Sequence, residues 1–172
     1  MIKKTLLLIM LLGVFASCNH IDNKVLPSYT VRIDLGTYGV WNTYGVTGVG
    51  DYRIFSRDKQ LPANFPYNAN TFTGFGGVLL IMGLDTSTGS YAPLAFDAAC
   101  PVERRPEYTL TVDPTTFDAI CPKCGSHYNV LNGAGGPLSG TALSQKVGLQ
   151  PYKCRQSVNG GYKIRKSTRL NS

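Results

Sequence analysis

An all-β domain of many short antiparallel strands is what this 172-residue chain predicts, on three observations. Its 19 Gly and 10 Pro recur at short intervals and break the chain before a long helix could run. Ten Tyr and seven Phe, interspersed with Val, Ile and Thr, suit a pleated, half-buried surface. No window sustains the helical period of an apolar face, whereas several alternate with period two. A hydrophobic fraction of 43% provides a core and excludes disorder, and a charged fraction of only 16% excludes a coiled coil.

The elements follow in order. Met1 to Ser17 carries Lys3 and Lys4, then an apolar run from Leu6 to Leu12 continuing through Val14 and Phe15, then Ala16, Ser17 and Cys18. That pattern is a secretory signal, too short in its apolar part to span a bilayer. The F-A-S-C sequence resembles the lipobox of bacterial lipoproteins, which implies cleavage before Cys18 and lipidation of its sulfur, hence an exported protein held to a membrane of the bacterial cell envelope. Residues 18–28, polar with Pro27 near the end, read as a tether; residues 29–166 read as the domain and residues 167–172 as a basic tail.

Within the domain, Thr30 to Leu35 alternates and reads as a strand. Gly36 to Gly50, with Tyr38, Trp41 and Tyr44, suits a loop or hairpin whose aromatics fold back on the core. Tyr52 to Phe55 is a short strand, and Leu61 to Asn70, with Pro62 and Pro66, a loop. Gly77 to Met82 is continuously apolar and predicts a strand buried on both faces, with Tyr91 to Phe96 as its hairpin partner. Tyr108 to Val112, Phe117 to Ile120, His127 to Leu131, Leu149 to Cys154 and Tyr162 to Ile164 complete about nine strands. The glycines at 133, 135 and 136 read as turn residues, and no phosphate-binding glycine loop is present.

The net charge of +7 points to nucleic acid until the charges are located. Lys3 and Lys4 belong to the signal, and Lys163, Arg165, Lys166 and Arg169 crowd the last ten residues, which leaves 11 basic against 10 acidic residues between Cys18 and Tyr162. A nearly neutral fold with a basic end is not a nucleic-acid surface. That end reads as solvated, with anionic lipid as its other use.

The remaining cysteines carry the chemistry. Cys100 lies in A-A-C-P-V-E-R; Cys121 and Cys124 lie in I-C-P-K-C-G-S-H-Y; the two loops are separated by 20 residues that read as a hairpin. A C-P-x-C-G knuckle lets two thiolates reach one ion while the glycine allows the backbone to curl around it. Such a pair of loops on adjacent hairpins can clamp one small object.

From about Gly77 to Ile164 the chain resembles a Rieske domain. The resemblance rests on a buried strand, then A-F-D-A-A-C-P, C-P-K-C-G-S-H-Y-N-V, G-G-P-L-S-G-T-A and a closing G-G-Y-K-I hairpin, in that order. It implies a Rieske-like stack of small antiparallel sheets, a [2Fe–2S] cluster held by a Cys and a His from each loop, and one-electron transfer to a partner protein. Carried over, Cys100 and Cys121 match the thiolate ligands, while Val102 and Cys124 occupy the two histidine positions. Three readings stay open. Cys100, Cys121 and Cys124 hold an iron–sulfur cluster of lowered potential; or they hold zinc or another soft cation, with Glu103, His127 or water as fourth ligand; or no metal binds and a disulfide ties the loops. Two sulfurs on one tetrahedral ion at ~2.3 Å stand about 3.7 Å apart, so closure to the ~2.05 Å of an S–S bond needs little movement. Cys100 with Cys121 or Cys124 would close a loop of about 20 residues, worth on the order of 3 kcal/mol. Cys154 reads as a buried free thiol. Independent catalysis is not expected, since a Cys124 nucleophile with a His127 base lacks an orienting third residue.

Overall fold

The computed structural model describes residues 20–132 and 134–166. The signal, Cys18 and its lipidation, Gly133 and the 167–172 tail with the end of the basic run lie outside the described residues. The strands are β1 (Val31–Thr37), β2 (Tyr52–Phe55), β3 (Phe72–Thr73), β4 (Val78–Asp85), β5 (Ser90–Asp97), β6 (Thr111–Val112), β7 (Asp118–Ile120), β8 (His127–Asn129), β9 (Pro137–Ser139), β10 (Pro151–Gln156) and β11 (Gly160–Arg165). Two short helices join them, α1 (Tyr38–Tyr44) and α2 (Thr141–Gln145). The fold is all-β. A seven-stranded antiparallel sheet, in the order β2-β4-β5-β10-β11-β1-β3, curls into a nearly closed barrel, and a four-stranded antiparallel sheet, β6-β7-β8-β9, stands beside it.

The apolar run that opens β4 divides between two cores. Val78 and Leu80 face the barrel interior with Ile33, Leu35, Phe55 and Ile164; Leu79 and Ile81 face the smaller sheet with Phe96, Leu110, Tyr128 and Leu149. A strand buried on both faces has no polar positions to alternate, which is why the sequence reads as continuous hydrophobics there. Strand β5 pairs with β4 over its whole length, from Val78 opposite Asp97 to Asp85 opposite Ser90. The Leu84 amide donates to the Leu131 carbonyl at 2.6 Å and ties the barrel to the smaller sheet.

Four expectations are corrected. The stretch read as a loop or hairpin after Gly36 contains α1, whose first turn is capped by Thr37, its hydroxyl accepting from the Val40 amide at 3.4 Å. Seven residues are too few to display a period, so the helix is silent in the sequence. Its Trp41 does fold back, 4.8 Å from the Tyr162 ring, whereas Tyr38 is exposed. The segment read as a tether touches the domain at three places: Asp22 bridges Val147 in parallel, Val25 packs on the core between the sheets, and Leu26 is buried. Strand β6 begins at Thr111 instead of Tyr108, with Thr109 joined to Ala99 by a single bridge. Strands β3 and β9 and helix α2 were not foreseen; β9 is an edge strand that opens on Pro137, where a missing amide costs no ladder bond.

Candidate metal centre

Both ligand loops end in the core between the sheets. Cys100 follows β5 by three residues, and Cys121 to Ser126 form the turn between β7 and β8. Asp97, at the end of β5, anchors the first loop. Its buried carboxylate accepts from the amides of Phe75 at 3.2 Å, Gly76 at 3.1 Å and Ala99 at 2.8 Å, and from the Tyr152 hydroxyl at 2.5 Å. Burial nonetheless raises its pKa, against the lowering effect of those four donors. The Cys100 amide then donates to Tyr108, and the Arg104 amide to Cys100, closing the loop on itself. In the second loop the Cys121 amide donates to Ser126, and the Gly125 amide to Cys121. Gly125 has φ +66, a conformation that a side chain at this position would strain. Lys123 lies 6.0 Å from the centre of the Tyr108 ring, linking the loops from outside.

The ligand atoms of Cys100, Cys121 and Cys124 all lie within 4.8 Å of one another, and the sulfurs of Cys100 and Cys124 are 3.7 Å apart. Cys100 and Cys121 are buried; Cys124 is half-buried and forms the outer side of the site. Donors surround the sulfurs. The Tyr128 hydroxyl, on a fully buried side chain, stands 3.4 Å from the Cys100 sulfur. The amides of Lys123 and Cys124 are turned toward the Cys121 sulfur. Ser126 lies 3.2 Å from the Cys124 sulfur, and its oxygen accepts from the Ala142 amide at 3.1 Å, so its own hydrogen is free for a thiolate.

These surroundings separate the thiols. Burial pushes Cys121 up to about 12 despite its two amide donors. For Cys124, burial again opposes ionisation, but the Ser126 hydroxyl and amide and the neighbouring Cys121 and Cys100 thiols outweigh it, leaving Cys124 below the ordinary thiol value. Burial and the adjacent sulfurs raise the Tyr128 phenol, which keeps it a hydrogen-bond donor.

No protein-family model, curated protein or solved structure matches this chain. The site therefore has to be read from its own residues.

Of the residues singled out in the sequence, the fold brings three cysteines together and leaves the others apart. His127 alternates with the core-facing Tyr128 on β8, and its Nδ1 lies 3.3 Å from Asp118 Oδ2. Glu103, on the first loop, also stands outside the group of mutually close ligand atoms. Val102, at the position that the Rieske resemblance gives to the first imidazole, packs against the core. Cys154 packs half-buried against the barrel core, in the other hydrophobic cluster, and burial pushes its thiol up to about 12. The four described cysteines are free, and 3.7 Å is not a disulfide distance. Ser126 and Tyr128 were not foreseen as site residues. Their signal was there, in the C-G-S-H-Y turn, but only the strand register shows that Ser126 and Tyr128 face the sulfurs while His127 between them does not.

Proposed function

We propose that this chain is a metal-binding module in which Cys100, Cys121 and Cys124 hold one soft divalent cation of the zinc class, carried on a lipid-anchored envelope protein. The observation that carries the reading is the sulfur group itself. Two of its members stand at 3.7 Å, the separation of about 3.7 Å expected for thiolates sharing one tetrahedral ion, and the third closes the group within 4.8 Å. A hydroxyl or an amide stands beside each sulfur, and Cys124 is held below the ordinary thiol value, while Cys121 has to lose its proton as the ion binds. Three protein ligands leave a fourth position for water or substrate, the arrangement of a catalytic or exchangeable ion. When bound, such an ion acts as a Lewis acid and lowers the pKa of its own water. An exported chain adds a chemical reason: thiols this close would oxidise in that compartment unless ligated.

A second reading, the [2Fe–2S] cluster and electron transfer of a Rieske-like protein, is favoured by the order of the loop motifs. The donor set suits it less well. Ligands on two irons stand farther apart than ligands on one ion, and the second iron would need two donors where Val102 offers none. Metal and sulfide analysis with a visible spectrum, on full-length protein purified without oxygen and without a metal-affinity tag, separates the readings. The expected result is one zinc-class ion per chain, no acid-labile sulfide, and loss of the metal in Cys124→Ala. Iron and sulfide in equal amounts would establish the cluster instead, and thiol titration showing a bridge with no metal would establish disulfide-tied loops.

A further inference from the structure

A second site is written on the opposite side of the barrel wall, in charges that folding alone does not call for. Arg32 on β1 stands directly opposite Arg165 on β11, and Arg165 opposite Lys153 on β10. All three are exposed, because their neighbours Ile33 and Ile164 take the inward positions. Like charges placed opposite one another destabilise a sheet. In the adjacent row Lys163 faces Asp34 and holds it at 2.9 Å, so that carboxylate is already engaged. Among the described residues no ion pair joins Arg32, Arg165 or Lys153 to an acid. Lys163, Arg165 and Lys166, which the sequence presents as part of a solvated basic end, are here parts of or next to an ordered strand.

The row runs into a cleft of about 280 Å³ lined by Ser28, Tyr29, Arg32, Arg165 and Lys166. Lys166 Nζ donates to Ser28 Oγ at 2.7 Å, which fixes the ammonium at the edge of the cleft, and the Tyr29 ring is propped on Phe75 at 5.7 Å. Two arginines, an ammonium and a hydroxyl thus line one space sized for a small group. We propose that this cleft binds a phosphate group, with Arg32 and Arg165 as the two forks and Lys166 as the point charge. Guanidinium matches phosphate oxygens in pairs, and a dianion between Arg32 and Arg165 turns their repulsion into attraction. The same chemistry is offered by a soluble phosphate compound and by a phospholipid headgroup. This inference does not depend on the metal centre, since it uses none of the cysteine-loop residues.

The test uses the full chain in a neutral detergent. Inorganic phosphate is titrated calorimetrically, and sedimentation is measured with vesicles of phosphatidylcholine alone or mixed with phosphatidylglycerol. The double variant Arg32→Gln/Arg165→Gln is compared with a control, Arg53→Gln/Arg105→Gln, that removes the same charge elsewhere. Saturable phosphate binding, weakened at least about tenfold in the first pair and less than about twofold in the control, supports the site and a soluble ligand. Extra sedimentation with the anionic vesicles, lost in the same selective way without free phosphate binding, supports it with a headgroup as the source. Binding of neither probe, or equal loss in both pairs, overturns it. Relief of the facing charges should leave the first pair at least as heat-stable as the parent, and Arg32→Lys/Arg165→Lys, which keeps charge but loses the forks, should bind between parent and Gln pair.

Discussion

Ser126 shows how much a single small side chain settles at the candidate metal centre. Its oxygen accepts from the Ala142 amide and from the Cys124 thiol, and its own hydrogen is there to donate once that sulfur ionises, so one hydroxyl fixes α2 to the second loop and lowers the outermost thiol. Ser126→Ala leaves a buried amide without an acceptor, and the expected loss of stability is about 1–3 kcal/mol. It also withdraws a donor from the thiolate, so the Cys124 titration should move upward and metal uptake near neutral pH should fall, because ligation requires the deprotonated sulfur. Alkylation of Cys124 in the metal-free protein, followed against pH, checks the shift; an unmoved midpoint would show that the serine is structural only. The same residue marks the limit of what the sequence disclosed. Cys121 and Cys124 were legible as a pair because spacing in a knuckle is a local property, and Cys100 joined them through the order of the two loop motifs. The exclusion of Glu103 and His127, and the inclusion of Ser126 and Tyr128, depend on which way successive residues of one turn and one strand point, and that is fixed only by the pairing of β7 with β8.

At the scale of elements, the two loops are held by different means. The second is a self-contained turn; the first depends on Asp97, which ties β5 to the Phe75–Gly76 turn and, through Tyr152, to β10. Asp97→Ala would leave three amides and a phenol without their acceptor, with an expected cost of about 3–5 kcal/mol. Tyr152→Phe removes one donor and should cost only about 1–2 kcal/mol. Urea unfolding of both variants, with metal affinity measured in parallel, tests whether stability and Cys100 placement fall together, as the anchor requires. On the barrel wall, the slight burial of the mostly exposed Asp34 would by itself raise its carboxyl, but Lys163, the Gly36 amide and Arg165 hold it below its ordinary value of 3.8. A depressed carboxylate stabilises the fold above its unfolded pKa, and that contribution disappears as pH falls through the lower folded value. The pair is exposed, so the whole contribution is at most about 1 kcal/mol. The unfolding free energies of the parent and Asp34→Asn should differ by that amount at about pH 6, and the difference should shrink as pH falls below the ordinary carboxylate range through the lower folded value. The strands themselves were read well where alternation or a continuous apolar run is long, as in β1, β4 and β5. The elements β3, β9, α1 and α2 are specified by what they pair with or by a cap, and are too short to carry a period of their own.

For the whole molecule, the decisive feature is that β4 separates two cores that can be tested independently. Leu79 and Leu80 are neighbours in sequence and both fully buried, yet Leu79 faces the core that contains Cys100 and Cys121 while Leu80 faces the barrel interior. Replacement of either by Ala removes a comparable side chain and leaves a comparable cavity, with an expected loss of about 2–5 kcal/mol in each case. If the metal centre is supported by the packing beneath it, only Leu79→Ala should lower metal affinity, because relaxation into its cavity moves the strands that carry the ligand loops. Leu80→Ala should bind metal as the parent does while melting at a similarly reduced temperature. Competition against a chromophoric chelator, under conditions where both variants remain folded, gives the comparison directly. Removal of the metal by an excess of the same chelator completes it. The parent should then lose thermal stability and gain hydrogen exchange in the two loops and in β7 and β8, while amides of β1 and β11, across the barrel, keep their protection. Equal affinity losses in the two variants, or exchange that rises throughout the barrel, would mean that the two cores unfold as one and that the site is coupled to the entire fold.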